Sequence, residues 1–298
     1  MYTVTLAKFK GGVGATEAVV NLAQLYAFAG WRVLVVDTDP QGGASERLLG
    51  HNDYFLTLAD AVSATIADRR NPKVALDDVI HAERVKEDAR RKESFKIGVV
   101  PANRALQDEE GNIGKMPVGR TKLLKRMLST VADQYDLCLI DTPPVFGYLS
   151  RNAIVAADGL LLPLLPEPAS FKALGKLRSE LDMMSEEDEV PPMVGTILSR
   201  FSVKSDRHQV GEKLLEIASG YGAHGLSLFD SEAVKEFDMN SIDGLRIPYL
   251  GNVANDNEKG NARKLRKAYN PIAKALSIAI GFGYLSINTE AHNATVPA

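Results

Sequence analysis

Residues 1–30 set out an extended β-branched run, a glycine-rich turn and a helical stretch, in that order. That order restricts the chain to folds in which a strand feeds a helix through a tight anion-sized loop. The run Tyr2-Thr3-Val4-Thr5-Leu6 suits a buried strand. K-G-G-V-G-A-T follows at 10–16, where Gly11, Gly12 and Gly14 let the backbone turn sharply and aim its N–H groups at an anion. Val19, Leu22, Tyr26 and Ala29 then recur at helical spacing as far as Gly30, so the loop opens onto a positive helix terminus. The ligand this predicts is a nucleoside triphosphate, cradled by Lys10, Gly11, Gly12, Val13, Gly14, Ala15 and Thr16.

The loop departs from the usual pattern in three places. Phe9 stands at the position of the leading glycine, Lys10 is an additional lysine, and Ala15 occupies the place of the lysine that grips phosphates. Taken alone, the heptapeptide could be a glycine-rich turn in an ordinary strand–helix unit. Two further segments weigh against that. Residues 32–36 form a second apolar run ending in D-T-D-P-Q-G-G, with Asp37 and Asp39 at its tip. Residues 135–140 form another, ending in D-T-P-P, with Asp141 at its tip. Carboxylates at the carboxyl ends of strands in an open parallel sheet lie where ligands bind. A triphosphate brings Mg²⁺, which takes a hydroxyl and one or two carboxylates, and Thr16 and Asp141 divide that labour.

The three segments together resemble the deviant Walker A, A′ and B boxes of the ParA/MinD family, and the D-P-Q-G form is similar to the ParA partition ATPases. The similarity extends through V-V-P-A-N-R-A-L (99–106), N-A-I-V-A-A-D-G-L-L-L-P-L-L-P-E-P (152–168) and G-T-I-L-S-R-F (195–201), and so covers the chain to about residue 248. The resemblance implies a role for each matching residue. Lys10 matches the signature lysine that reaches across a nucleotide-sandwiched dimer. Thr16 matches the loop ligand of Mg²⁺, and Asp39 the residue that orients the attacking water. Asp37 would lie near the metal and the switch region, and Asp141 would hold Mg²⁺ through water. Ala15 inherits nothing, and Glu17 stands where a threonine is more usual.

A charge-assisted hydrogen bond is worth about 1.5–3 kcal/mol, so its loss at Ala15 should weaken nucleotide binding roughly ten- to a hundredfold. Turnover should suffer at least as much if that contact strengthens during phosphoryl transfer. The intact remainder of the set favours a substitution introduced into a K-G-G-V-G-K-T parent over a natural variant with crippled turnover. Activity is therefore expected to be attenuated or absent.

The chain of 298 residues with a net charge of −3 is ordinary for a water-soluble α/β enzyme. Strand runs alternate with helical stretches, which predicts a doubly wound, mostly parallel sheet with helices on both faces, of the P-loop NTPase type. A single ATPase domain over 1–288 is expected, with a disordered tail at 289–298. Residues 56–96 read as an excursion between the second strand and the next at 96–100, and the charge-dense run 83–92 as a solvated helix face. Residues 108–117 read as a loop, and 185–192 as an acidic link into a strand at 193–198. The one cysteine, Cys138, reads as a small buried apolar residue, and with one thiol no internal disulfide is possible. His51, His81, His208, His224 and His292 are scattered without zinc-ligand spacing, and no secretory leader is evident.

Residues 259–289 carry six basic side chains and no acidic one. Such a face follows a phosphate backbone without reading bases, although a solvated helix face would look the same. The ParA resemblance favours nonspecific DNA, through Lys259, Arg263, Lys264, Arg266 and Lys267, with Arg200 a weaker addition. Residues 272–285 are too short and too glycine-broken to span a bilayer and read as a helix packed on the sheet. The resemblance therefore implies a cytoplasmic, nucleoid-associated ATPase using ATP and Mg²⁺. It would form a homodimer on nucleotide, bind nonspecific DNA, and be released when a ParB-like or other cargo adaptor stimulates hydrolysis. A nucleotide-poor regulatory or scaffold protein and a MinD-like membrane-positioning ATPase are the alternatives.

Overall fold

A computed structural model describes residues 1–70, 72–85, 95–198 and 207–220, together with 269–270, 272–274, 276–277 and 280–281. Its elements run β1 (Tyr2–Leu6), α1 (Ala15–Phe28), β2 (Val33–Asp37), α2 (Gly43–Leu49), α3 (Leu58–Ala67), β3 (His81–Val85), β4 (Phe95–Val100), α4 (Ala105–Gly114), α5 (Leu123–Ser129), β5 (Leu137–Asp141), α6 (Tyr148–Ala156), β6 (Gly159–Leu164), α7 (Pro168–Ser185), β7 (Met193–Leu198) and α8 (Arg207–Gly220).

The strands form one seven-stranded sheet in the order β3-β4-β2-β5-β1-β6-β7. Among the described residues only the β3–β4 pairing is antiparallel. Side chains alternate across a strand, and here both sets are apolar. Val33 and Val35 of β2 and Leu137 and Leu139 of β5 face the layer containing α1. Leu34, Val36, Cys138 and Ile140 face the layer containing α3, α5 and α6. Covering both faces explains why these strands read as continuous apolar runs. It also buries Cys138 completely and pushes its thiol pKa far up.

Two expectations are corrected. Residues 108–117 are mostly helical, because α4 buries Leu106 and Ile113 on its inner face. Gly111, which suggested a loop, lies on the open face, where it costs only helix propensity. Gly114 sits so close to Tyr148 that an added Cβ would approach the ring to 2.8 Å. The second correction concerns residues 83–85, which continue β3 at the sheet edge instead of a helix face. Charged residues are common on edge strands, where they discourage further pairing. The rest of that run, 86–94, lies outside the described residues.

The described part of 272–285 is helical at 272–274 and 276–277 as expected, and it hydrogen-bonds to α1, where packing on the sheet was expected. Tyr26, fully buried, donates its hydroxyl to the Ala273 carbonyl at 2.9 Å and lies 3.1 Å from Ser277 Oγ.

Candidate functional site: a phosphate cradle against two acidic strand tips

Register decides where the acidic residues go. In the β2–β5 pairing Asp37 lies opposite Asp141, and in the β1–β5 pairing Leu6 lies opposite Asp141. The tips of β2, β5 and β1 are therefore neighbours, and the glycine loop rises directly from the last of them. Gly12 and Gly14 take positive φ (74° and 81°), a conformation that L side chains rarely adopt. Gly14 is also the N-cap of α1, and no side chain caps that terminus. The helix thus presents its first N–H groups and the positive end of its dipole to an incoming anion.

Thr16, in the first turn of α1, donates its hydroxyl to Asp141 Oδ2 at 2.6 Å. Lys8, just past the end of β1, enters the same space. Its Nζ lies 3.1 Å from Asp141 Oδ1, 3.3 Å from Asp39 Oδ2 and 3.4 Å from Thr16 Oγ1. Burial alone would lower the ammonium's pKa. Attraction to Asp141 and Asp39, the hydrogen bond to Asp141 and the field of Asp37 outweigh it and hold the pKa above the usual lysine value.

Asp37 is fully buried and holds the loop that follows β2. Its Oδ1 accepts from the Asp39 N–H at 3.0 Å, and its Oδ2 accepts from the Ser45 N–H at 2.9 Å and the Ser45 hydroxyl at 2.7 Å. Burial and the neighbouring Asp141 push its carboxyl pKa up against those hydrogen bonds. Burial likewise raises that of Asp141, partly offset by the Lys8 charge and the Thr16 hydrogen bond. Ser45 Oγ also accepts from the Ala102 N–H at 3.0 Å, tying the loop to the segment after β4. Gly42 fits between them at φ 67°, where an added Cβ would meet the Ala102 carbonyl oxygen at 2.9 Å.

The outer lip is built differently. Lys10 is ion-paired with Glu167, and both side chains are about a third or more exposed. Phe9 stacks on Phe146 with ring centroids 5.1 Å apart, and Arg151 lies over Phe146. Glu17, where a threonine was more usual, pairs with Arg47 of α2 at 2.9 Å. Ala15 is buried in a small apolar group with Val13 and Leu165.

The structure therefore brings together Lys10, Gly11, Gly12, Val13, Gly14, Ala15, Thr16, Asp37, Asp39 and Asp141 around one loop. Arg200, Lys259, Arg263, Lys264, Arg266 and Lys267 lie outside the described residues. Sequence reasoning missed Lys8, Ser45, Arg47 and Glu167. Lys8 carried only a faint signal: it is a cation just past an apolar strand, in a chain where two other apolar strands, β2 and β5, end in aspartate.

The donor set suits a hard divalent cation. A buried carboxylate, a hydroxyl and a second carboxylate surround a point already filled by an ammonium group, so a positive charge is at home there. Among the described residues, no cluster of three or more His, Cys, Asp or Glu is arranged to hold a metal ion by itself.

An AAA domain family model matches residues 1–190. The Maintenance of carboxysome distribution protein A of Synechococcus elongatus is 30% identical over 84% of this chain and 93% of its own length. The Chromosome partitioning protein ParA of Myxococcus xanthus is 30% identical over 71% of this chain and 69% of its own. An uncharacterised Mycobacterium tuberculosis protein is 31% identical over 68% of this chain, which spans only 59% of that relative's length. Among solved structures, apo McdA of Cyanothece superposes with a TM-score of 0.67 at 20% identity, covering 93% of this chain and 99% of that one. Cobyrinic acid a,c-diamide synthase of Mycobacterium smegmatis, with bound ADP and magnesium, gives 0.60 at 25% identity, covering 74% and 82%. With a seven-stranded sheet among the described residues, a glycine cradle on an inner strand and acidic tips beside it, the chain belongs to the ParA-type family of P-loop ATPases.

Proposed function

We propose that this chain is an ATP-dependent positioning ATPase, whose MgATP-bound homodimer holds nonspecific DNA and lets go when an adaptor on its cargo stimulates hydrolysis. The observation that carries the reading is the convergence of the glycine cradle with Thr16, Asp39 and Asp141, sealed by the 2.6 Å Thr16–Asp141 hydrogen bond. Partition and carboxysome-distribution relatives support the cellular role, and ADP with magnesium in the M. smegmatis structure supports the ligand.

In this proposal the backbone N–H groups of residues 11–16 hold the β- and γ-phosphates, and Lys10 leaves Glu167 to reach the partner protomer's nucleotide. Thr16 and Asp141 would hold the metal. Bound Mg²⁺ supplies charge neutralisation at the phosphate oxygens. Asp39 orients the attacking water. Asp37 supports them from below, because its hydrogen bonds to Asp39 and Ser45 fix the loop that carries Asp39. Turnover is attenuated relative to a loop with lysine at position 15, which suits an ATP-bound state that must persist to act.

DNA binding rests on the basic residues of 259–267 and on Arg200. Localisation follows as cytoplasmic and nucleoid-associated. Among the described residues no helix is long and apolar enough to cross a membrane. Co-sedimentation with plasmid-sized DNA tests the reading. DNA pelleting the protein only with MgATP, and losing it with added salt, is the expected result. Equal pelleting with and without nucleotide would favour a scaffold protein instead.

A further inference from the structure

The lysine missing from the loop has a physical successor in the site. Lys8 enters from β1 and places its ammonium 3.4 Å from the hydroxyl of Thr16, the residue next to Ala15. Its side chain is only 7% exposed, and its other partners are Asp39 and Asp141. Lys10 does not fill this place, since its ammonium is turned outward onto Glu167. We propose that Lys8 takes over the work of the absent loop lysine, so that this chain supplies its own phosphate-binding cation from the strand and not from the glycine loop. The inference rests on the P-loop reading above.

Three features of the geometry support this. First, the cation is aimed at the phosphate cradle: its contact with Thr16 sets it beside the first turn of α1, where the anion must sit. Second, a lysine stem is long and rotatable, so the ammonium can exchange carboxylate oxygens for phosphate oxygens without any shift of β1. Third, Ala15 leaves no rival charge: it packs with Val13 and Leu165. Before nucleotide arrives, the same ammonium offsets Asp39 and Asp141, which would otherwise face each other without a cation. Ala15 then reads as one half of a natural exchange of positions, which removes the reason to regard it as an introduced substitution.

A purely structural counter-ion would share the carboxylate contacts, so the test must separate the two roles. Equilibrium binding of MgATP, by calorimetry or a fluorescent ATP analogue, is compared in the unmodified chain, Lys8→Met, Ala15→Lys and Lys8→Met/Ala15→Lys. Lys8→Met should weaken binding roughly ten- to a hundredfold, the worth of one charge-assisted hydrogen bond. Adding Ala15→Lys should restore it to near the starting affinity. Lys8→Arg keeps the charge that Asp39 and Asp141 require and can itself contact phosphate, so it guards against misfolding and should retain more affinity than Lys8→Met. Unaltered affinity in Lys8→Met, or an equal loss in Lys8→Met and Lys8→Arg that Ala15→Lys does not rescue, overturns the role of Lys8 and leaves the P-loop reading standing. An equal gain from Ala15→Lys in both backgrounds also overturns it, because two groups doing one job cannot be additive. No saturable binding by the unmodified chain or by Ala15→Lys overturns the P-loop reading itself, and the role of Lys8 with it.

Discussion

Lys8 and Lys10 are separated by a single residue, yet they live in different electrostatic worlds. The first is buried among Thr16, Asp39 and Asp141, while the second is half out in solvent and ion-paired with Glu167. The difference follows from the chain's path. Lys8 still follows the line of β1, whose neighbour β5 ends in Asp141, whereas Lys10 has passed Phe9 and begun the turn. An inner cation of this kind is part of the fold, because removing it strands buried charge. An outer cation is spare to the fold and so free to serve another molecule.

That contrast can be broken most severely from the inside. Lys8→Met should lower the nucleotide-free unfolding free energy by about 3 kcal/mol, in the range for losing one partner of a buried ion pair. Lys10→Met should cost less than about 1 kcal/mol, as for an exposed pair. Urea titrations of the two variants side by side check this, and equal losses would erase the distinction. Ser45→Ala should cost about 1–3 kcal/mol, since it leaves a buried Asp37 oxygen and the Ala102 N–H without their shared hydroxyl. The same titration measures it, with lowered affinity for MgATP expected as the Asp39 loop loosens.

The outer lysine should show itself in assembly instead. Lys10→Ala should leave the monomer's unfolding curve nearly unchanged and abolish MgATP-dependent dimerisation in analytical ultracentrifugation; a dimer that persists would remove Lys10 from the interface. The smallest effect lies at the opposite end of the sheet, where Arg32 pairs with Asp136 at 2.6 Å. The Arg32 hydrogen bond holds the Asp136 carboxyl below its ordinary value. A depressed folded pKa contributes stability above the unfolded value, lost as pH falls through the folded one. Asp136→Asn should therefore cost under about 1 kcal/mol at neutral pH, given the pair's exposure. That cost should vanish in acid, as urea titrations at pH 7 and below pH 3 would show.

Much of the inner wall was legible in the residues themselves. The apolar runs at 32–36 and 135–140 end in aspartates, and parallel register carries such tips to one edge, so Asp37 and Asp141 could be placed together from chain order. The loop at 10–16 announced itself through Gly12 and Gly14, which adopt the conformation their type permits. Lys8 was only faintly legible because a lone lysine just past a strand has no periodic or spacing signature; its meaning comes from partners 31 and 133 positions away. α4 was missed for a related reason. Gly111 and Gly114 lower local helix propensity, and only the packing of Leu106, Ile113 and Tyr148 overrides it.

The most direct measurement is a calorimetric titration of the unmodified chain with ATP, with and without Mg²⁺, repeated on Asp141→Asn. One nucleotide bound per chain in a Mg²⁺-dependent manner, and weakened at least tenfold by Asp141→Asn, is the expected result, taking a hydrogen bond to a charged group at about 1.5 kcal/mol or more. Binding that ignores both the metal and Asp141 would mean that the strand tips and the glycine cradle do not form one nucleotide site.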